Sequence, residues 1–351
     1  MPNNATTSTN YSPKRLESRG ILRVTLGAVA LLTVLLAAFA WPTSELEPRS
    51  LPLAVAAPST EAASAVETQL ASAFGEDGVE VIDVNDREAA INAIQDREAY
   101  GAFVVGTDGV EVLTATVASP VVAQMLDQAA QSMGSQPEAP STSVSDVAPA
   151  SDGDPQGAVF SSGALPLALG GILVGAMTAL LLGRVRNRLA TAFLASAGAG
   201  LALAGVLQGW LGVLSGSYWA NASVIALGIL AVALPAIGLH RCVGRAGIGI
   251  MALLVVLLGN PNSGVASAPE LLPLGWLGQL LPPGATGTAL RGTAYFDGAG
   301  VATALIVLVC WAGVGLALAL LPRMEPKTPQ APVDQRPVEV PASSAGNNGG
   351  S

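Results

Sequence analysis

The amino-acid sequence predicts a multi-pass α-helical membrane protein of about six spans, with a small extracytoplasmic α/β domain inserted between spans one and two. Three observations carry this expectation. Of the 351 residues 51% are hydrophobic and 12% charged, and the apolar ones gather as Ala, Leu, Val and Gly runs of the ~20-residue length that crosses a bilayer. The charge is sorted along the chain, because residues 43–160 hold 19 Asp or Glu against three Arg, Arg49, Arg87 and Arg97. That same acidic stretch has the alternating and capped patterns of a soluble domain.

The spans are expected at residues 21–41, 163–183, 189–214, 220–239, 243–259 and 299–321. They leave a cytoplasmic N-terminal tail over 1–20, a first transmembrane helix within 21–42, a domain over 43–133, a flexible linker over 134–160 and a five-span bundle over 161–321. The Pro-rich tail over 322–351 lacks the apolar residues to fold. The basic residues set the orientation by the positive-inside rule. Lys14, Arg15, Arg19 and Arg23 precede the first span; Arg184, Arg186 and Arg188 lie between the second and third; Arg241 and Arg245 separate the fourth and fifth; Arg323, Lys327 and Arg336 follow the last. All fall on one side when both termini are cytoplasmic, which puts the acidic domain outside. Ala38-Phe39-Ala40 also fits a signal-peptide cleavage site, whereas the length of the apolar run and an interfacial Trp41 favour a retained span.

Within the acidic domain, strands are expected from Leu51, over 78–84, 100–105 and 110–117, and helices over 60–74, 86–98 and 119–133. Asn85 with Glu88 reads as a capping box, and Ser119-Pro120 as an N-cap with a first-turn proline. The order β-α-β-α-β-β-α implies a layered α/β unit. Residues 134–157, rich in Ser, Pro, Asp and Gly, read as the flexible linker.

Catalytic chemistry finds little purchase here. A P-loop needs Gly-Lys followed by Ser or Thr, and both lysines, Lys14 and Lys327, follow proline. One histidine, His240, gives neither a His-based metal cluster nor a triad with the acidic domain on the other membrane face; it reads as a cap near a helix C-terminus. No cofactor is expected, and without a clustered basic surface no nucleic acid either. Cys242 and Cys310 fall in or beside spans and read as buried thiols. The spans themselves are almost free of ionisable groups, which argues against ion coupling.

Residues 260–298 are too rich in proline to span and too apolar for a solvated loop. Leu271, Leu272, Leu274, Trp276, Leu277, Leu280 and Leu281 read as an amphipathic surface, giving a re-entrant or interfacial outer gate; the alternative is an ordered loop packed on the bundle. The gate residues are Asn260 and Pro261 at the break, Trp276, the helix-breaking pair Pro282-Pro283, Gly284 at a tight reversal, and an Arg291–Asp297 ion pair pinning the second arm.

This arrangement resembles permeases of the type-two ABC exporter superfamily, and within it the phage-infection-protein (YhgE/Pip) group. The likeness rests on residues 51–55, the Glu98-Ala-Tyr-Gly-Ala-Phe-Val-Val105 strand, Ala118-Ser-Pro-Val-Val-Ala-Gln-Met-Leu126 and Leu280-Leu-Pro-Pro-Gly-Ala285. It implies a permease subunit in the bacterial plasma membrane, a homodimer or heterodimer, energised by a separate cytoplasmic ATPase that meets the loops holding Arg184, Arg186, Arg188, Arg241 and Arg245. A different reading makes those arginines topology signals that meet anionic lipid. The alternative function is a non-transporting scaffold or receptor that displays its outer domain for envelope assembly or secretion. With the predicted orientation, Ser143→Cys is labelled by an impermeant maleimide in intact cells; labelling only after permeabilisation would overturn the topology.

Overall fold

The computed structural model describes residues 13–135 and 141–322; of the tails expected over 1–20 and 322–351, residues 1–12 and 323–351 lie outside the described residues. Helix α1 (Pro13–Ser44) is exposed along its apolar length, its main contact with the rest of the chain being one helical turn at Leu254–Gly259.

The stretch after α1 folds as a sheet flanked by helices: β1 (Leu51–Ala56), α2 (Thr60–Phe74), β2 (Val79–Val84), α3 (Arg87–Gln95), β3 (Ala102–Val105), β4 (Gly109–Thr114), α4 (Pro120–Gly134) and β5 (Ser141–Asp146). The sheet order is β2-β1-β3-β4-β5, with β1 parallel to both neighbours, β3 and β4 antiparallel, and β5 parallel to β4. Strand β1 is apolar and buried along nearly its whole length because helices cover both faces. The helix starts are set by side chains that accept the free first-turn amides: Ser59 from Ala62, Asp86 from Ala89 and Ser119 from Val122, with Pro120 following in the first turn.

Two expectations are corrected here. The cap of α3 is Asp86, one residue beyond Asn85: its backbone is extended and its carboxylate accepts the Ala89 amide at 2.9 Å. The flexible linker over 134–157 gives way to β5, which pairs with β4 from Gly109↔Ser141 to Thr114↔Asp146. A strand at a sheet edge is held by its backbone ladder and needs no apolar face. Order continues beyond it: Asp146 accepts from the Thr116 hydroxyl at 2.5 Å. Asp154, itself buried, accepts the Val159 and Phe160 amides at 3.1 and 2.8 Å and so caps the next helix.

The helical bundle comprises α5 (Ala158–Leu181), α6 (Val185–Ala204) continuing in a π-helical turn (Gly205–Trp210), α7 (Tyr218–Val243), α8 (Arg245–Leu253) continuing in a second π turn (Leu254–Gly259), the short α9 (Gly275–Gln279), α10 (Pro282–Tyr295) and α11 (Ala302–Leu320). Among the described residues, five helices are long and apolar enough to cross a membrane, α1 and α5, α6, α7 and α11 with their continuations. The sixth expected span is shorter, an apolar helix over Arg245–Gly259. At 1.5 Å per residue it rises roughly 22 Å, less than the ~30 Å hydrocarbon core. It is followed by irregular chain over 260–268 that is largely buried in protein.

Helix α7 is the hub, with almost three-quarters of its apolar window buried, against about a quarter in its neighbours. Small residues let the neighbours close on it. A Cβ on Gly171 of α5 would come to 2.6 Å of Val232 Cβ, and one on Gly175 to 2.8 Å of Ala236 Cβ. On the opposite side a Cβ on Gly315 of α11 would fall on the backbone of Leu234 and Pro235. Between helices in lipid, this contact replaces the hydrophobic effect as the source of cohesion.

The helix ends sort into two sets. Arg241 Nε, near the end of α7, donates to Leu321 O at the end of α11 (2.6 Å), and Arg188 Nε to Leu182 O between α5 and α6 (2.6 Å). The other ends meet the sheet domain: the loop after α10 packs on Arg97, and the Ser151 hydroxyl donates to Val213 O (3.0 Å). We expect Gly315→Ala to lower stability by about 1–3 kcal/mol through overpacking against rigid backbone. Gly313→Ala, whose Cβ meets open space, should leave it unchanged or slightly higher. Thermal unfolding in detergent measures both, and equal melting of the two variants would contradict the packing.

Candidate functional site at the junction of the sheet domain and the bundle

Residues 259–281 descend from α8 to α10 without a long helix, and their carbonyls are answered by side chains from several elements. Asn262 Nδ2 donates to Leu258 O (3.0 Å), the Ser263 hydroxyl to Asn260 O (2.7 Å), and Gln279 Nε2 to Ser263 O (2.7 Å). Farther on, the Arg49 amide donates to Glu270 O (2.9 Å), while the Glu47 amide and Arg49 Nη1 converge on Leu271 O (3.2 and 3.0 Å). Leu271 is fully buried and belongs with Ala268 to the core of the sheet domain beside Leu51, Leu53, Phe103 and Leu126. The expected amphipathic leucine surface is therefore corrected. Leu271 serves the sheet domain and Leu272 and Leu281 are buried, while Trp276 and Leu280 point outward at 65% and 51% exposure.

Pro282 and Pro283 stand at a break between two short helices, as expected: α9 ends at Gln279 and α10 begins at Pro282, with the prolines in its first turn, where a missing N–H and a fixed φ are favourable. Helix α10 corrects two further expectations. Gly284 makes no reversal but sits inside α10, where a Cβ would run into the Gly278 carbonyl. Arg291 does not pair with Asp297. Among the described residues the ion pairs are Arg49–Glu47 and Arg87–Glu111. Asp297 is exposed in a left-handed turn (φ 47°). Arg291 is 3% exposed, donates from Nη2 to Val265 O (2.8 Å) and lies over the Phe160 ring at 5.0 Å, leaving Nε without a partner. Phe160 and Val265 also line an apolar cavity between α5, α7 and α10, whose wall includes Pro282, Pro283 and Leu290. Of the expected gate residues, the structure thus brings Pro282 and Pro283 to this cavity with Arg291 beside it. Asn260, half-buried with its Oδ1 unpartnered, and Pro261 stand at the end of the second π turn.

Other charges converge on the same junction. Arg97 adopts φ 62° just past the end of α3, a left-handed conformation that costs a non-glycine residue roughly 1–2 kcal/mol. The three non-glycine residues with positive φ among the described residues are Ser50, Arg97 and Asp297, and all belong to this region. Arg97 stacks on Phe296 at 5.2 Å, and its Nη1 has no partner. Burial holds the Arg97 guanidinium below its usual range, against the opposing pull of Tyr100 and Glu270. Burial, with help from Glu270, raises the Tyr100 phenol well above its usual range. Glu270 Oε2 is buried and unpartnered too.

Sequence reasoning missed Arg97, Tyr100, Glu270 and Phe160 as site residues. One signal was present: between Arg245 and Asp297 the chain carries just two charged residues, Glu270 and Arg291, so each isolated charge in apolar sequence marked a place. Arg97 gave no such signal, because it stands in a charged helix end. At the opposite end of the bundle Arg184, Arg186 and Arg245 are exposed, while Arg188 and Arg241 are engaged with carbonyls. Cys242 and Cys310, expected to be buried, are exposed on the outer surface of the bundle.

Neither a family model, a curated protein nor a solved structure matches this chain, so the functional reading rests on the junction and the bundle themselves.

Proposed function

We propose that the chain is the membrane-spanning permease subunit of an ABC-type export system in the plasma membrane, energised by a separate ATPase subunit. Both termini lie in the cytoplasm, the sheet domain outside, and Arg245–Gly259 with the turn after it makes the sixth crossing. The observation that carries this reading is the packing of α9 and α10. These short helices fold back against the bundle beneath the sheet domain, and α10 borders a cavity among helices that are almost free of ionisable groups. An apolar path without proton-binding side chains calls for an outside energy source, and the exposed Arg184, Arg186 and Arg245 give a partner somewhere to dock. Dimerisation belongs to the same proposal, with the exposed α1 as the element most in need of lipid or protein neighbours.

Affinity purification in mild detergent tests the reading. A nucleotide-hydrolysing subunit should be recovered with the chain, and charge reversal at Arg184, Arg186 and Arg245 should reduce that recovery without changing topology. Recovery of envelope or secretion components with no nucleotidase would instead make the chain a scaffold.

A further inference from the structure

Three exposed tryptophans stand at helix ends. Trp41 (45% exposed) lies in the last turn of α1, Trp210 (80%) ends the π turn of α6, and Trp219 (71%) lies in the first turn of α7. All three ends belong to the set that meets the sheet domain. The chain after Trp41 reaches Leu271 O through the Glu47 amide, and the loop between Trp210 and Trp219 offers Val213 O to the Ser151 hydroxyl. Among the described residues none of these three indole N–H groups has an acceptor, whereas Trp311 Nε1 has Leu280 O. A ring that is apolar in body and polar at one edge suits the boundary between acyl chains and headgroups.

The opposite ends of the same helices carry arginine. Arg23 precedes Trp41 by 18 residues, Arg188 precedes Trp210 by 22 and Arg241 follows Trp219 by 22, with no Asp, Glu, Lys or Arg in between. At the helical rise these spacings are ~27 Å in α1 and ~33 Å in α6 and α7, on either side of the ~30 Å hydrocarbon core. Three helices therefore mark one slab of hydrocarbon at one level. Measured against it, the segment after Leu271 goes deep. Leu271 belongs to the sheet-domain core, yet nine residues on Leu280 O meets Trp311, the middle residue of α11 (Ala302–Leu320). Thr286 fills the space at Gly228, nine residues or ~13 Å along α7 from Trp219. Helix α10 then returns, and the Tyr295 hydroxyl donates to Val213 O (2.8 Å) in the loop between Trp210 and Trp219. Leu281, Pro282 and Pro283 at the turning point are buried, the setting in which interrupted helix is tolerated at membrane depth.

We propose that Trp41, Trp210 and Trp219 form a band seated in the headgroup–acyl boundary of the leaflet on the sheet-domain side, and that residues 272–281 dip from that band to the middle of the bilayer before α10 climbs back. The partner of the band is lipid, and the placement holds whether or not the chain exports anything. Trp276, exposed on the descending stretch, then lies at an intermediate depth.

The full chain is reconstituted into phosphatidylcholine vesicles with one tryptophan kept at a time and the other four changed to Phe. Emission is quenched by a lipid carrying a nitroxide on its headgroup or at carbon 12 of an acyl chain. Trp41, Trp210 and Trp219 should each be quenched about twofold or more better by the headgroup nitroxide, Trp311 by the acyl nitroxide, and Trp276 between them. Stronger quenching of the three by the deep probe, quenching by aqueous acrylamide alone, or protection from every quencher, as a second copy of the chain would give, each overturns the band. Because Trp311→Phe removes the bond to Leu280, the dip is read again with all five tryptophans present. A nitroxide on Leu280→Cys, in a Cys242→Ser and Cys310→Ser background, should collide more with dissolved oxygen than with a water-soluble nickel chelate; the reverse overturns the dip. Neither readout involves an ATPase, so the export reading stands or falls separately.

Discussion

The structure depends on satisfying the backbone of an irregular segment that lies against a membrane bundle. Between Leu258 and Leu280 no long helix is present to pair N–H with C=O, and each unpaired group in an apolar setting costs free energy comparable to a lost hydrogen bond. The chain answers with groups gathered from far apart. Arg291 of α10 and Ser161 of α5 reach Val265 O, Arg49 and Glu47 reach Leu271 O, and Trp311 Nε1 of α11 donates to Leu280 O at 2.9 Å. These bonds tie α5, α10, α11, the connector after α1 and the sheet domain to one stretch of chain. The domain is consequently seated on the bundle through a shared core, with Leu271 and Phe296 contributing to its two apolar clusters.

That seating gives α10 a particular position. One side of it meets α7, where Thr286 fills the space above Gly228; the far end carries Phe296 under Arg97; and Arg291 stands between the cavity and the domain. A displacement of the sheet domain would be felt at the cavity through α10 without any intervening flexible linker. The strain recorded at Arg97 and Asp297 and the unpartnered polar atoms of Arg97, Glu270 and Arg291 are the features expected where a fold keeps a site in place of maximal stability.

Much of the architecture was legible because its signals are local. A span is recognised by some 20 apolar residues wherever it packs, and Ser119-Pro120 marks a helix start within its own turn. The misreadings share a cause, which is that their determinants are distant in sequence. Strand β5 is polar on both faces and exists through its ladder with β4. Gly284 makes a reversal or sits within a helix according to where the helix lies, and that was decided by packing of α10 under the domain. Arg291 and Asp297 are close in sequence but separated by the turn at Phe296, and the arginine's real neighbours, Phe160 and Val265, lie 131 and 26 positions away. The site was partly visible, since Arg291, Pro282 and Pro283 were singled out, but its other half lies on α3 and α5 and no pattern in the chain links these to residue 291.

The central claim is that the sheet domain and the segment beneath it form one cooperative unit through Leu271. Amide hydrogen exchange of β1 in the full chain, compared between wild type and Leu271→Ala, tests it most directly. A buried Leu→Ala change costs about 2–5 kcal/mol. If the core is shared, protection of Leu51–Ala56 should fall by on the order of 30-fold or more. Unchanged protection of that strand, with loss confined to residues around 271, would show that the domain stands without the bundle and would contradict the account.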